Sequence, residues 1–116
     1  MALLQITVIA ALLYLNFFNA LLVFVFPMAV SFIITCRHTY DHHADCSEDD
    51  EYAASNNITH RWYNILTGNL GYHTAHHLRP GLHWSKLPAF HASIADKIPL
   101  ENYRAPGLPV EWLPAN

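Results

Sequence analysis

The first 36 of the 116 residues contain no Asp, Glu, Lys, Arg or His. All charged side chains, 6 Lys/Arg and 9 Asp/Glu, lie between Arg37 and Glu111, and the nine His between His38 and His91. The net charge of −3 therefore averages two unlike halves. Cations are few and nowhere clustered, so no surface exists to neutralise phosphates, and a nucleic-acid binder is excluded. Two cysteines, Cys36 and Cys46, are too few for a disulfide framework and are expected as reduced thiols on a cytosolic side. A hydrophobic share of 53% against 13% charged excludes a disordered chain.

The apolar stretch Met1 to Cys36 holds six polar residues: Gln5, Thr7, Asn16, Asn19, Ser31 and Thr35. As a single helix it would reach about 54 Å, against a bilayer core of roughly 30 Å. It is too long for one crossing and short for two complete ones. Its most polar point, Asn16-Phe17-Phe18-Asn19, is the natural turn. The expected structure is a transmembrane helical hairpin over residues 1–43, with a shortened helix near 2–15 and a second over 19–43, kinked at Pro27. A cleavable signal is excluded, because no Lys or Arg precedes the run and the run is too long. Residues 44–98 are expected as a cytosolic, His-rich helical cap. Residues 99–116, with Pro106, Gly107, Pro109 and Pro114, are expected as an extended tail. The fold class is thus an all-α integral membrane protein, its histidines placed on the cytosolic side by Arg37.

The second helix emerges from the apolar run into Arg37-His38-Thr39-Tyr40-Asp41-His42-His43. Helical spacing puts His38 and His42 on one face, flanked by Asp41 and His43. Histidine at the mouth of a membrane helix is a functional candidate. Ser47-Glu48-Asp49-Asp50-Glu51 reads as a helix start or, more commonly, a solvated loop, and is assigned no chemistry. Ile58, Trp62, Ile65, Leu66 and Leu70 recur at helical spacing and suggest a helix along the headgroup boundary. The most informative segment is Asn69-Leu70-Gly71-Tyr72-His73-Thr74-Ala75-His76-His77. On a helix His76 lies about 60° to one side of His73 and His77 about 40° to the other. Three imidazoles then share one cone of space. Protonated they repel, and buried neutral each still needs a partner. A metal satisfies all three, and imidazole suits iron, copper and zinc. His60, His83 and His91 read as packing or hydrogen-bonding histidines.

This combination resembles the carboxyl-terminal part of a membrane fatty acid desaturase. Asn69-x-Gly71-Tyr72-His73-x-x-His76-His77 looks like the family's third histidine box, HxxHH. Pro80-Gly81-x-His83-Trp84-x-x-Leu87-Pro88-x-x-His91 looks like the stretch that trails the box in bacterial members. Arg37-x-x-x-Asp41-His42 is similar to the family's Arg-x-x-x-Glu-His, with Asp41 in place of Glu. The resemblance implies two irons held mostly by His, with molecular oxygen as co-substrate. It matches His73, His76 and His77 to the third box and His42 to the extra ligand near the last transmembrane helix. His38, His43 and Asp41 are weaker candidates beside them, and Asn69 is a candidate partner of the ligands. His38-x-x-x-His42-His43 also has the spacing of the second box, but that box precedes the last hairpin in the family.

No His precedes residue 38, so boxes one and two are absent and the chain is expected to be a fragment, inactive alone. Within a longer polypeptide the resemblance implies oxygen-dependent desaturation of an acyl chain or membrane lipid. Ferredoxin or cytochrome b5 would be the electron donor. Two alternatives stand beside it. One is a related diiron hydroxylase or ketolase. The other is a non-catalytic membrane-anchored module with Zn²⁺ or Cu²⁺ on His73, His76 and His77, and Cys36 or Cys46 as a further ligand.

Overall fold

The computed structural model describes residues 1–47 and 49–115. Among them it contains helices and turns and no strand, apart from an isolated parallel bridge between Asn57 and Tyr103. Two compact units result, Met1–Thr39 and Tyr40–Asn116.

The first unit begins with α1 (Ala2–Leu15), followed after one residue by α2 (Phe17–His43). That residue, Asn16, leaves helical geometry at φ −154°, ψ 90°. Its N–H closes α1 on the Leu12 carbonyl, and its Oδ1 accepts from the Asn19 N–H at 3.2 Å. One asparagine thus ends one helix and caps the next. The turn expected over Asn16 to Asn19 contracts to Asn16, and α2 starts at Phe17 instead of residue 19. Ahead of Pro27 the helix widens into a π-helical stretch, Leu21–Val25, with the Phe26 N–H bonded to the Leu21 carbonyl. Proline lacks an N–H, and its ring presses on the carbonyl four residues back. The wider turn gives that ring room.

At 27 residues α2 is long and apolar enough to cross a membrane. With roughly 1.5 Å per residue it reaches about 40 Å, beyond a core of roughly 30 Å. At 14 residues α1 is too short to do so alone. Almost nothing covers either helix. Among the described residues of this unit Ala20 alone is buried, while Leu3, Ile6, Leu22, Phe32 and Ile33 are all more than 60% exposed. Soluble monomers do not present a contiguous apolar surface of this kind.

The second unit holds the last turn of α2 and three short helices: α3 (Arg61–Thr67), α4 (His73–Leu78) and α5 (Leu87–Ile94). Ala75, Leu87, Ile94 and Ile98 form its apolar core, against which Tyr72, Leu78, Phe90 and Tyr103 pack. α3 is shorter than the periodicity over 58–70 suggested. Ile58 is buried in non-helical backbone, its N–H donated to the Gly71 carbonyl at 2.9 Å. At the other end Gly68 and Asn69 turn left-handed, at φ 63° and 67°, and stop the helix. Asp50 makes a turn rather than a helix start: its carboxylate accepts from the Tyr52 N–H and its carbonyl from the Ala53 N–H. Glu48 of that acidic run lies outside the described residues. The tail is less extended than expected, with 3-10 turns at Leu100–Asn102 and Val110–Trp112.

Unlike Gly68 and Gly81, Gly71 is tightly enclosed. A Cβ there would overlap the Ile58 carbonyl oxygen and sit 2.7 Å from Asn64 Oδ1. Overpacking against backbone costs about 1–3 kcal/mol. Gly71→Ala is therefore expected to lower the melting temperature in detergent, whereas Gly81→Ala, with nothing within 4 Å, leaves it unchanged. Equal melting temperatures for the two variants would refute the close approach.

Candidate metal centre

Two elements bring the histidines together: the end of α2 carries His42 and His43, and α4 carries His73, His76 and His77. Between them in sequence runs the buried polar segment Ser55-Asn56-Asn57. Asn56 serves the end of α2. Its N–H donates to the His42 carbonyl at 2.8 Å, and its Nδ2 donates to the carbonyls of Asp41 and Ala44. Helix ends leave such carbonyls without intrahelical partners. Asn57 serves the start of α4. Its Oδ1 accepts from the Thr74 N–H at 3.1 Å, and its Nδ2 donates to Thr74 Oγ1 at 2.8 Å. The Thr74 hydroxyl in turn donates to the Ser55 carbonyl. Neighbouring residues thereby pin the two helix ends that carry the imidazoles.

His73 Nε2 lies 3.1 Å from His43 Nε2 and 3.2 Å from His77 Nε2. The ligating nitrogens of these three all fall within 4.8 Å of one another. His42 stacks on His73 with ring centroids 4.2 Å apart and planes 20° from parallel. His76 stands 5.8 Å from His73 and 6.0 Å from His77, centroid to centroid. His42 is more constrained than its neighbours: Nδ1 is 2.8 Å from the Asn56 carbonyl and Nε2 is 2.8 Å from the Tyr63 hydroxyl. A carbonyl only accepts, so Nδ1 carries the proton and the Nε2 lone pair receives the Tyr63 O–H.

Burial is the first cause holding His73 down to about 3, followed by the charges of His42, His77, His43 and His76. His77 is lowered by burial, then by His43 and His76. Both rings are thus neutral near pH 7 and keep lone pairs available. His73 Nδ1 is also buried without a hydrogen-bond partner. Convergent neutral imidazoles with an orphaned ring nitrogen fit a metal better than they fit a proton. Burial also raises the Tyr63 hydroxyl to about 12, with Asp41 as the second cause.

The residues singled out in the sequence take different places. His73 and His77 belong to the converging group, and His43, a second-rank candidate, joins them there. Adjacent helical residues point about 100° apart, and only the partner helix decides which of His42 and His43 faces His77. Asn69 gives its Nδ2 to the Trp84 carbonyl at 3.2 Å. His38 lies in the other unit. His91 meets the Tyr103 hydroxyl, His83 the Ser85 hydroxyl and His60 the Leu113 carbonyl. The Cys46 thiol, raised chiefly by burial, rests on the carbonyls of His42 and Ala44. Tyr63 had no sequence signal beyond its place in an interfacial helix.

Residues 1–105 match the family model of fatty acid desaturases. The chain belongs to the fatty acid desaturase family. No curated protein and no solved structure matches it. Members of the desaturase family are oxidoreductases with a diiron centre, and the His43, His73 and His77 group is consistent with part of a histidine-box site.

The depressed proton affinity of His73 has a consequence for stability. Unfolded, the ring titrates near its ordinary 6.5; folded, it stays neutral to about 3. Between those values the unfolded chain binds more protons, so the metal-free protein loses stability as pH falls from about 6.5 towards 3. His73→Gln should flatten that slope in melts recorded with chelator present. An unaltered slope would show that His73 is not held neutral by the fold.

Proposed function

We propose that residues 40–105 supply part of the iron-ligand set of a membrane-bound acyl-chain desaturase. The observation that carries this reading is the convergence of His43, His73 and His77, their nitrogens within 4.8 Å, in a chain of this family. His42 and His76 complete the candidate ligands by resemblance, and both adjoin His73. Iron supplies the chemistry that side chains lack, activation of oxygen and removal of hydrogen from an unactivated methylene. The chain's own residues do the rest. His73 and His77 keep their lone pairs unprotonated, Asn56 fixes the His42 tautomer through the ring Nδ1–H, and Asn57 holds the start of α4.

In this reading α2 crosses the bilayer, α1 enters beside it as the short arm of a hairpin, and the histidines lie at the cytosolic surface. Arg37, the first charge of the chain, stands where the helix leaves the lipid. The substrate is an acyl chain or membrane lipid, and electrons come from a ferredoxin or cytochrome b5-type donor. Five imidazoles cannot fill two iron shells, so further ligands come from outside these residues, and the 116 residues alone do not desaturate. A zinc module completed by cysteine has less support, since the Cys46 thiol is held on backbone carbonyls.

Anaerobic Fe²⁺ titration of the purified chain in detergent tests the site. Binding should saturate at a single iron per chain, disappear in His73→Ala and survive replacement of both cysteines by Ser. Stoichiometric binding that His73→Ala and His77→Ala leave intact would place the iron elsewhere and sink the reading.

A further inference from the structure

Tyr63 stands outside the candidate ligands, yet its hydroxyl is 2.8 Å from His42 Nε2. His42 is 1% exposed, and its Nδ1–H is engaged by the Asn56 carbonyl. Nε2 therefore carries the one lone pair that the ring can offer to a metal. A phenol keeps its proton at neutral pH, so Tyr63 is the donor in this contact. The phenol and the imidazole meet edge to face, ring centroids 5.9 Å apart. Tyr63 is itself buried and sits on α3, which Asn64 ties to the Ile58 carbonyl and the Gly71 N–H.

The geometry points to Tyr63 as a positioning residue for metal loading: its hydroxyl occupies the His42 lone pair in the metal-free chain and yields it when a metal binds. This deepens the function proposed above and rests on His42 being a ligand. A buried imidazole nitrogen with no donor would be an unsatisfied acceptor, which a low-dielectric interior penalises. Tyr63 removes that penalty and keeps the ring in the tautomer that a metal needs, with Asn56 holding the other side. The same contact must break on loading, because one lone pair cannot serve an O–H and a metal together. Tyr63 therefore steadies the empty site and weakens metal binding at once.

Zn²⁺, a redox-silent probe, tests this on the chain in detergent micelles by competition with a chromophoric chelator. Tyr63→Phe should bind Zn²⁺ about tenfold more tightly than the wild type, since no hydrogen bond has to be broken first. A supporting role for the hydroxyl predicts weaker binding, and a purely structural one predicts no change. In wild-type protein carrying ¹³C at tyrosine Cζ, saturating Zn²⁺ should shift the Tyr63 resonance as its O–H loses the imidazole. That measurement needs no variant and stands even where Tyr63→Phe folds poorly. Equal or weaker affinity in a folded Tyr63→Phe, or a Tyr63 signal unmoved by Zn²⁺, overturns the proposal and leaves the metal site standing. Binding indifferent to His42→Gln removes His42 from the ligands and the proposal with it. A wild type that binds no Zn²⁺ overturns both the site and the proposal.

Discussion

The arrangement of histidines depends on the pairing of two consecutive buried asparagines with two helix ends. Asn56 saturates carbonyls at the C-terminus of α2, and Asn57 saturates the N–H and hydroxyl of Thr74 in the first turn of α4. Each of these groups, left alone in the interior, would cost about 1–3 kcal/mol. Both asparagines are 1% exposed or less, so water cannot take their place. Asn102 closes the network by donating to the Ala53 and Ser55 carbonyls. Because the bonds are directional, they set where the helices end and how their last and first turns face, which apolar packing alone does not do.

That precision serves an assembly that fold stability would not select. His73 sits with four other imidazoles around it, all within about 6 Å ring to ring, counting His42, His43, His76 and His77. A proton on His73 or His77 is penalised by burial and by neighbouring charges, so these two rings stay neutral and keep their lone pairs. Among these imidazoles His43, His73 and His77 form a group that could hold a metal ion. The desaturase family holds iron in its histidine-box site, and Ala75 of α4 packs into the apolar core with Leu87, Ile94 and Ile98.

The first unit follows a different physics. Its helices expose aliphatic and aromatic side chains over nearly their whole surface, and Asn16 and the π-helical stretch before Pro27 supply backbone hydrogen bonds where the helices break. In lipid every backbone polar group must find a partner within the protein. Both interruptions supply local partners: Asn16 caps the second helix through its side chain, and the bond from Phe26 to Leu21 spans the widened turn.

Much of this was readable in the sequence. The uncharged opening 36 residues, the short first helix, the long second one and the helical HxxHH segment follow from composition and periodicity, which act locally. His73 and His77 emerged for the same reason, since a helix sets their mutual angle without help. Tertiary structure decided what local rules do not reach. His43 converges with His73 and His77 although 30 residues separate it from His73, Tyr63 meets His42, and Ile58 leaves its apparent helix to pair with Gly71. These contacts arise from hydrogen bonds between segments distant in the chain. Periodicity carries the direction of a side chain within its own helix, while the partner that it meets is set by where the buried asparagines hold the next helix.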